Sequence, residues 1–236
     1  MPATLLLRLD GPLQAWGSSS MFEQRTTGLH PTKSGVIGLL AAALGRPRHD
    51  DILDLAALGF AVRVDQPGEA VSDFQTVGID GWYSASGKVT VGQPKLSRRD
   101  YLADAVFTAA LGGEDADLVG ACAQALARPV YGLFLGRKSC PPAAPIYITT
   151  TDRDPVTALT ELPYQGHLRA PTQLRLICED PAGAHLTADQ PVSFTAGRRT
   201  YTGRRTRTTL ITTPCGPPPV PGPTPHIGGD PYERER

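Results

Sequence analysis

Apolar and polar positions divide the chain into short segments with the lengths of strands and helices. Residues 4–9 are mostly apolar and end at a turn signal, Asp10-Gly11-Pro12, which is typical of a buried strand. Residues 60–65 alternate between apolar and polar side chains, as a half-buried strand does. Between them, residues 32–45 carry apolar side chains on nearly every side, so the pattern predicts a buried helix.

The same patterns continue along the chain, except between residues 71 and 96. There, two strand-like pieces flank residues 80–87, which hold few aliphatic side chains, so we expect a long hairpin that stands off the body. Helices are predicted at residues 50–58 and 114–128. Strands are predicted at residues 101–111, 130–135, 146–150, 174–179, 192–195 and 208–212.

The order strand, helix, strand, hairpin, strand, helix, strand predicts an α+β fold. It fits a ferredoxin-like (RRM-like) βαββαβ domain with a long β-hairpin inserted. We expect that domain at residues 1–145, with the hairpin, or thumb, at about 71–99. A small, mostly β part follows at 146–213, and residues 214–236 form a Pro/Gly-rich flexible tail.

Composition excludes several classes of protein. The 236 residues have a net charge of zero, and no apolar run reaches the roughly 18 residues of a membrane span. Without a signal-peptide pattern, we expect a cytoplasmic protein with no membrane contact. The cysteines form no CxxC pair and the histidines no metal-binding spacing, so we predict reduced thiols, no metal and no cofactor.

The start of the buried helix is a candidate anion site. Lys33, Ser34 and the free amides of the first turn would point at one place, which suits a phosphate. Gly35 and Gly38 are unfavourable inside a helix and indicate a close neighbour. Tight helix–sheet packing alone would also explain both glycines. A nucleotide-binding P-loop is disfavoured, because Thr32 stands where a glycine should precede the lysine.

Other cations are clustered along the chain. Arg46 and Arg48 follow the buried helix, and Arg137 and Lys138 lie in a loop that a solvated surface would explain equally well. Trp16, in a polar loop, suits base stacking, although packing beneath the loop is the commoner arrangement. Residues 190–229 contain no acid but include Arg198, Arg199, Arg204, Arg205 and Arg207.

Four motifs in order resemble the CasD family of type I-E CRISPR surveillance complexes (Cascade), within the repeat-associated RNA-binding superfamily. They are residues 8–17 (RLDGPLQAWG), 31–40 (PTKSGVIGLL), 97–105 (SRRDYLADA) and 135–141 (LGRKSCP). The resemblance implies a non-catalytic subunit that binds the 5′ handle of the CRISPR RNA. It further implies that the thumb reaches the backbone subunit, that the large subunit docks nearby, and that target DNA is bound through the complex.

The resemblance and the residue types together give the predicted RNA-binding set. A kinked single strand is held through its phosphates and by stacking on splayed bases. The predicted residues are Trp16, Arg25, Lys33, Ser34, Gly35, Arg46, Gln75, Lys88, Arg98, Arg99, Arg137, Lys138 and Ser139.

Two alternatives remain open at the level of sequence. The type I-C relative is a metal-independent endoribonuclease that processes precursor CRISPR RNA, and such a site needs an acid or base beside a cation. His30 and Lys33 are close in sequence, with Tyr131 or Tyr147 as further candidates, but they match no pattern of that site. The other alternative is a protein scaffold that makes no RNA contact.

Overall fold

The computed structural model describes residues 2–17, 23–78, 80–83, 87–91, 94–212 and 214, so the predicted tail beyond Pro214 lies outside the described residues. The helices are α1 (Lys33–Ala43), α2 (Leu53–Ala56), α3 (Ala116–Ala127) and α4 (Pro155–Glu161). The strands are β1 (Ala3–Asp10), β2 (Leu13–Gln14), β3 (Gln24–Arg25), β4 (Gly59–Gln66), β5 (Glu69–Val77), β6 (Trp82–Tyr83), β7 (Val89–Thr90), β8 (Lys95–Ala103), β9 (Val106–Gly113), β10 (Tyr147–Thr151), β11 (Leu174–Glu179), β12 (His185–Ser193) and β13 (Thr200–Ile211).

Seven strands form one antiparallel sheet in the order β10-β1-β9-β4-β11-β13-β12. The connection from β1 to β4 contains α1, and the connection from β9 to β10 contains α3. The last three strands continue the same sheet beyond β4. The C-terminal part is therefore hydrogen-bonded to the first part through the pairing of β11 with β4. The mixed α+β class predicted from the sequence is confirmed.

The two faces of the sheet carry different helices. Leu5 and Leu7 of β1 belong to the larger core cluster, which includes buried residues of α1 and α3. Leu6 faces the other way and packs with Ala158 and Leu159 of α4, a helix that the sequence analysis missed. Burying each such leucine contributes about 1.5–3 kcal/mol, so the alternation along β1 fixes both layers.

Two of the predicted strands differ from the strands in the structure. Residues 130–135 do not join the sheet, because the amides of Val130 and Tyr131 donate to the carbonyls of Ala43 and Ala42 and satisfy the end of α1. Residues 101–111 are divided between β8 and β9 by a turn in which Asp104 has a φ of 54°.

A long hairpin extends from the body. Its strands β5 and β8 pair from Glu69 opposite Ala103 to Val77 opposite Lys95. The other edge of β8 pairs with β2 and β3, so the base of the hairpin is hydrogen-bonded to the segments that precede α1. None of the helices in the described part of the chain is long and apolar enough to span a membrane.

Candidate nucleic-acid interface

A groove of about 910 Å³ runs along the open side of α1. The helix contributes small residues to its floor, among them Ser34, Gly35 and Gly38. One wall comes from the β12–β13 hairpin and the other from the segment that follows α3. The side chains that these walls and the end of α1 place on the groove are Arg46, Arg48, Tyr131, Leu133, Phe134, Lys138, Phe194, Arg199 and Tyr201.

The groove is cationic. Arg48, Lys138 and Arg199 are exposed and form no ion pair or side-chain hydrogen bond with another described residue. Arg46 differs, because its guanidinium binds both carboxylate oxygens of Asp54 at 2.6 Å, and this hydrogen-bonding lowers the pKa of Asp54. No acidic side chain lines the groove among the described residues. The three unpaired cations are therefore available to a polyanion.

Aromatic rings accompany these cations. Tyr131 is 51% exposed and Tyr201 42% exposed, while Phe134 and Phe194 are half-buried. Exposed rings offer flat surfaces on which unpaired bases stack, each worth about 1–3 kcal/mol. Cations for phosphates and rings for bases are thus present in one groove, as single-stranded RNA requires.

Lys33 does not supply one of these cations, contrary to the prediction that it is a phosphate ligand. It is 3% exposed, and its Nζ lies 2.9 Å from Glu179 Oε1. Burial lowers its pKa, an effect that the hydrogen bond to Glu179 opposes. Its backbone N–H donates to Asp189 Oδ2 at 2.8 Å, and Thr32 Oγ1 accepts from the N–H of Gly35. The start of α1 is therefore occupied by the protein's own groups.

The same acidic residues bind Arg204 of β13. Asp189 Oδ1 accepts from Arg204 Nε at 2.6 Å, and Oδ2 accepts from Nη2 at 2.9 Å. Since Asp189 also binds Lys33, this buried network joins the β12–β13 hairpin to the start of α1. It thereby holds two sides of the groove in place. The two residues of the Lys33–Asp189 hydrogen bond are 156 positions apart in the sequence.

Trp16 is a core residue, so the prediction that it stacks on a base is wrong. It is 1% exposed, and its indole N–H donates to Gln14 Oε1 at 3.0 Å. A Cβ at Gly35 would lie 3.0 Å from the Trp16 ring. Close packing, the alternative that the sequence left open, therefore explains this glycine.

Besides Lys33, seven of the predicted residues lie outside the groove lining. Gln75 donates to Asp73, and Arg99 to Ser97, both within the hairpin. Arg98 donates to Ser72 and lies over the Phe74 ring. Arg137 binds backbone carbonyls beside the hairpin, and Ser139 Oγ lies 3.9 Å from Cys140 Sγ. Arg25 and Lys88 are exposed.

Of the predicted set, Ser34, Gly35, Arg46 and Lys138 line the groove, together with the buried Trp16.

Sequence reasoning missed several residues of the groove. It did not assign Arg48, Phe194, Arg199 or Tyr201 to the site, and considered Tyr131 only as an acid–base group. The acid-free stretch at residues 190–229 was the signal for Arg199 and its neighbours. That signal did not show which surface these residues face, because only the order of the strands in the sheet brings β12 and β13 next to α1.

Two of the residues considered for nuclease chemistry, His30 and Lys33, are bonded to other groups of the protein. His30 Nδ1 lies 3.1 Å from the carbonyl oxygen of Pro31, and burial lowers the pKa of its imidazole. The ammonium of Lys33 is bonded to Glu179, so it is not available to a phosphorane. Within the described ranges, no three His, Cys, Asp or Glu side chains are grouped to hold a metal ion.

Comparison with known proteins places the chain in a family. The model of the family described as CRISPR-associated protein (Cas5) matches residues 4–207. The chain belongs to the Cas5 family. It is 37% identical over 175 residues to the CRISPR system Cascade subunit CasD of Escherichia coli (strain K12), covering 67% of this chain and 76% of that protein. The resemblance to CasD seen in the motifs is thereby confirmed.

Solved structures agree with this Cas5 assignment. A chain of a CRISPR RNA-guided surveillance complex is 36% identical and superposes with a TM-score of 0.79, covering 89% of this chain and 90% of its own length. A crystal structure of a Cas protein is 39% identical with a TM-score of 0.74, over 91% of this chain and all of that one.

Proposed function

We propose that this Cas5 protein is a non-catalytic subunit of a type I-E CRISPR surveillance complex that binds and caps the 5′ handle of the CRISPR RNA. In this role it contacts the backbone and large subunits and supports guide-directed binding of target DNA in antiviral defence. The proposal is supported by the relatives, one named a Cascade subunit and another solved within an RNA-guided surveillance complex.

The groove along α1 is the observation that carries the RNA-binding part. Arg48, Lys138 and Arg199 provide three cations without an ion pair to another described residue, and Tyr131 and Tyr201 provide exposed rings. A bent single strand would place phosphates on the cations and turn its bases onto the rings. An A-form duplex hides its bases from such rings, so the groove favours single-stranded RNA.

The architecture supports the rest of the proposal. The strand order β10-β1-β9-β4, with α1 and α3 in the crossovers, supports the predicted ferredoxin-like unit. The β5–β8 hairpin inserted between β4 and β9 serves as the thumb. It spans residues 69–103, a few residues more at each end than the predicted 71–99. Its exposed apolar residues, which include Phe74 and Leu96, suit contact with the backbone subunit.

The test is charge reversal in the groove. The variant Lys138→Glu/Arg199→Glu is compared with Arg169→Glu, which alters an exposed arginine outside the groove lining. Affinity for single-stranded handle RNA is measured across a range of salt concentrations. The double variant should bind at least tenfold more weakly, and its salt slope should be shallower by about 1.4 because two phosphate contacts are lost.

The control variant should bind as the wild type does, because its position lies off the proposed path. Equal affinity for the wild type and the double variant would refute the groove as the RNA site. Incubation of the protein with precursor repeat RNA in the absence of metal tests the non-catalytic part. We expect the RNA to remain intact, and a product that begins at the handle would show the protein to be an endoribonuclease.

A further inference from the structure

Arg137 joins three segments that are far apart in the sequence. Its Nη2 donates to the carbonyl oxygens of Arg25 at 2.6 Å and Thr26 at 3.2 Å. Its Nη1 donates to the carbonyl oxygen of Asp100 at 3.0 Å, and its guanidinium lies 4.8 Å from the centroid of the Tyr101 ring. One side chain thus holds the segment of β3, the strand β8 and the loop after residue 135 together.

The loop that carries Arg137 also contributes to the groove. Gly136 and Lys138 line the groove, whereas Arg137 between them does not. Gly136 has a φ of 85°, and a Cβ there would lie 1.7 Å from the carbonyl oxygen of Ala15, so only glycine fits. The loop is closed by a 2.7 Å hydrogen bond from the N–H of Leu135 to the carbonyl of Cys140. It is therefore a fixed link with the groove on one side and the hairpin base on the other.

We infer that Arg137 is a positioning residue that fixes the base of the β5–β8 hairpin relative to the groove. The sequence analysis predicted a phosphate ligand, but the planar fork of donors is used by three backbone carbonyls and one aromatic face. Lysine keeps the charge but cannot bind three carbonyls in this fixed geometry. The two roles therefore predict opposite behaviour of Arg137→Lys.

Hydrogen exchange tests the positioning role without RNA. The amide of Arg98 donates to the carbonyl of Glu23 at 2.8 Å, across the junction that Arg137 holds. In Arg137→Lys and Arg137→Gln, amides in residues 94–102 should exchange about tenfold faster than in the wild type. The matched control is Lys138→Gln, the neighbouring cation, which should leave these rates unchanged.

RNA binding and assembly give a second readout, which rests on the proposed function. Lys138→Gln should make the salt slope shallower by about 0.7, the loss of one phosphate contact on a single strand. Arg137→Gln should leave the slope as it is in the wild type, yet weaken assembly with the backbone subunit at least tenfold. Arg137→Lys should not restore assembly, because charge alone does not position the hairpin.

The inference is overturned if Arg137→Lys matches the wild type in exchange and assembly while Arg137→Gln lowers the salt slope as Lys138→Gln does. That result would make Arg137 a phosphate ligand. If instead Lys138→Gln leaves RNA affinity and its salt slope unchanged, the groove proposal fails, but faster exchange in the Arg137 variants would still establish the positioning role. The two failures are thus distinguishable.

Discussion

Gly35 and Gly38 lie one turn apart on α1 but have different neighbours. An added Cβ at Gly35 would meet the ring of Trp16 and Thr32 Oγ1 at 3.0 Å, whereas at Gly38 it would meet Phe194 at 3.8 Å. The first contact is too close and its ring is fully buried, while the second is ordinary van der Waals contact. Single residues along one helix are therefore under different constraints.

Alanine at these two positions should have opposite effects. Gly35→Ala should lower the free energy of unfolding by about 1–2 kcal/mol, because the packed ring must move. Gly38→Ala should be neutral or raise it by up to about 1 kcal/mol through better helix propensity. Urea denaturation of both variants checks this, and an equal loss at the two positions would contradict the packing account.

His30 should make stability depend on pH. Burial lowers its pKa below the ordinary value of about 6.5, so the unfolded chain binds this proton more readily than the folded one. Stability should therefore fall as pH drops through about 6.5 towards the folded-state pKa. Between pH 8 and pH 5.5, Tm should fall further in the wild type than in His30→Asn, and parallel curves would disprove this.

At the scale of elements, the β12–β13 hairpin is bound to α1 by charges that the structure buries. Asp189 accepts hydrogen bonds from the backbone of Lys33 and the side chain of Arg204. The sequence separation of these residues hides the contact from any local pattern. The helix α1 could therefore be predicted, but β12 and β13 were predicted only at their C-terminal ends, and their connection to α1 could not be predicted.

Asp189→Asn should be strongly destabilising. Lys33 and Arg204 would keep only Glu179 as a charged partner, and breaking such a buried pair costs about 3–5 kcal/mol. The control is Asp180→Asn, which alters a more exposed ion pair with Arg207 and should cost at most about 1 kcal/mol. Chemical denaturation should separate the two variants clearly, and similar losses would rule out a structural role for the network.

The distal part of the β5–β8 hairpin should be dispensable for folding. None of the described residues between 67 and 100 belongs to the buried core. Deleting residues 81–87, of which 84–86 lie outside the described residues, should change the free energy of unfolding by less than about 1 kcal/mol. It should nevertheless impair assembly with the backbone subunit in co-purification. Unimpaired assembly would show that the tip is not the contact.

At the scale of the whole molecule, a protein with no net charge brings several exposed cations together in one groove. The hydrophobic patterns predicted β1, α1, β4, α3 and β11 close to their observed bounds, because each buries a continuous or periodic apolar face. Residues 130–135 have the same apolar character, but they satisfy the end of α1 instead. The site was harder to predict, since Arg48, Lys138 and Arg199 come together only through the order of the sheet.

Photo-crosslinking is the most direct test that the groove holds the guide RNA. Handle RNA carrying 4-thiouridine would be assembled into the complete complex, irradiated, and the crosslinked peptides identified by mass spectrometry. We predict crosslinks to residues 131–138 and 194–201, which contribute Tyr131, Lys138, Phe194 and Arg199 to the groove. Crosslinks confined to the opposite face of the sheet, around α4, would contradict the account.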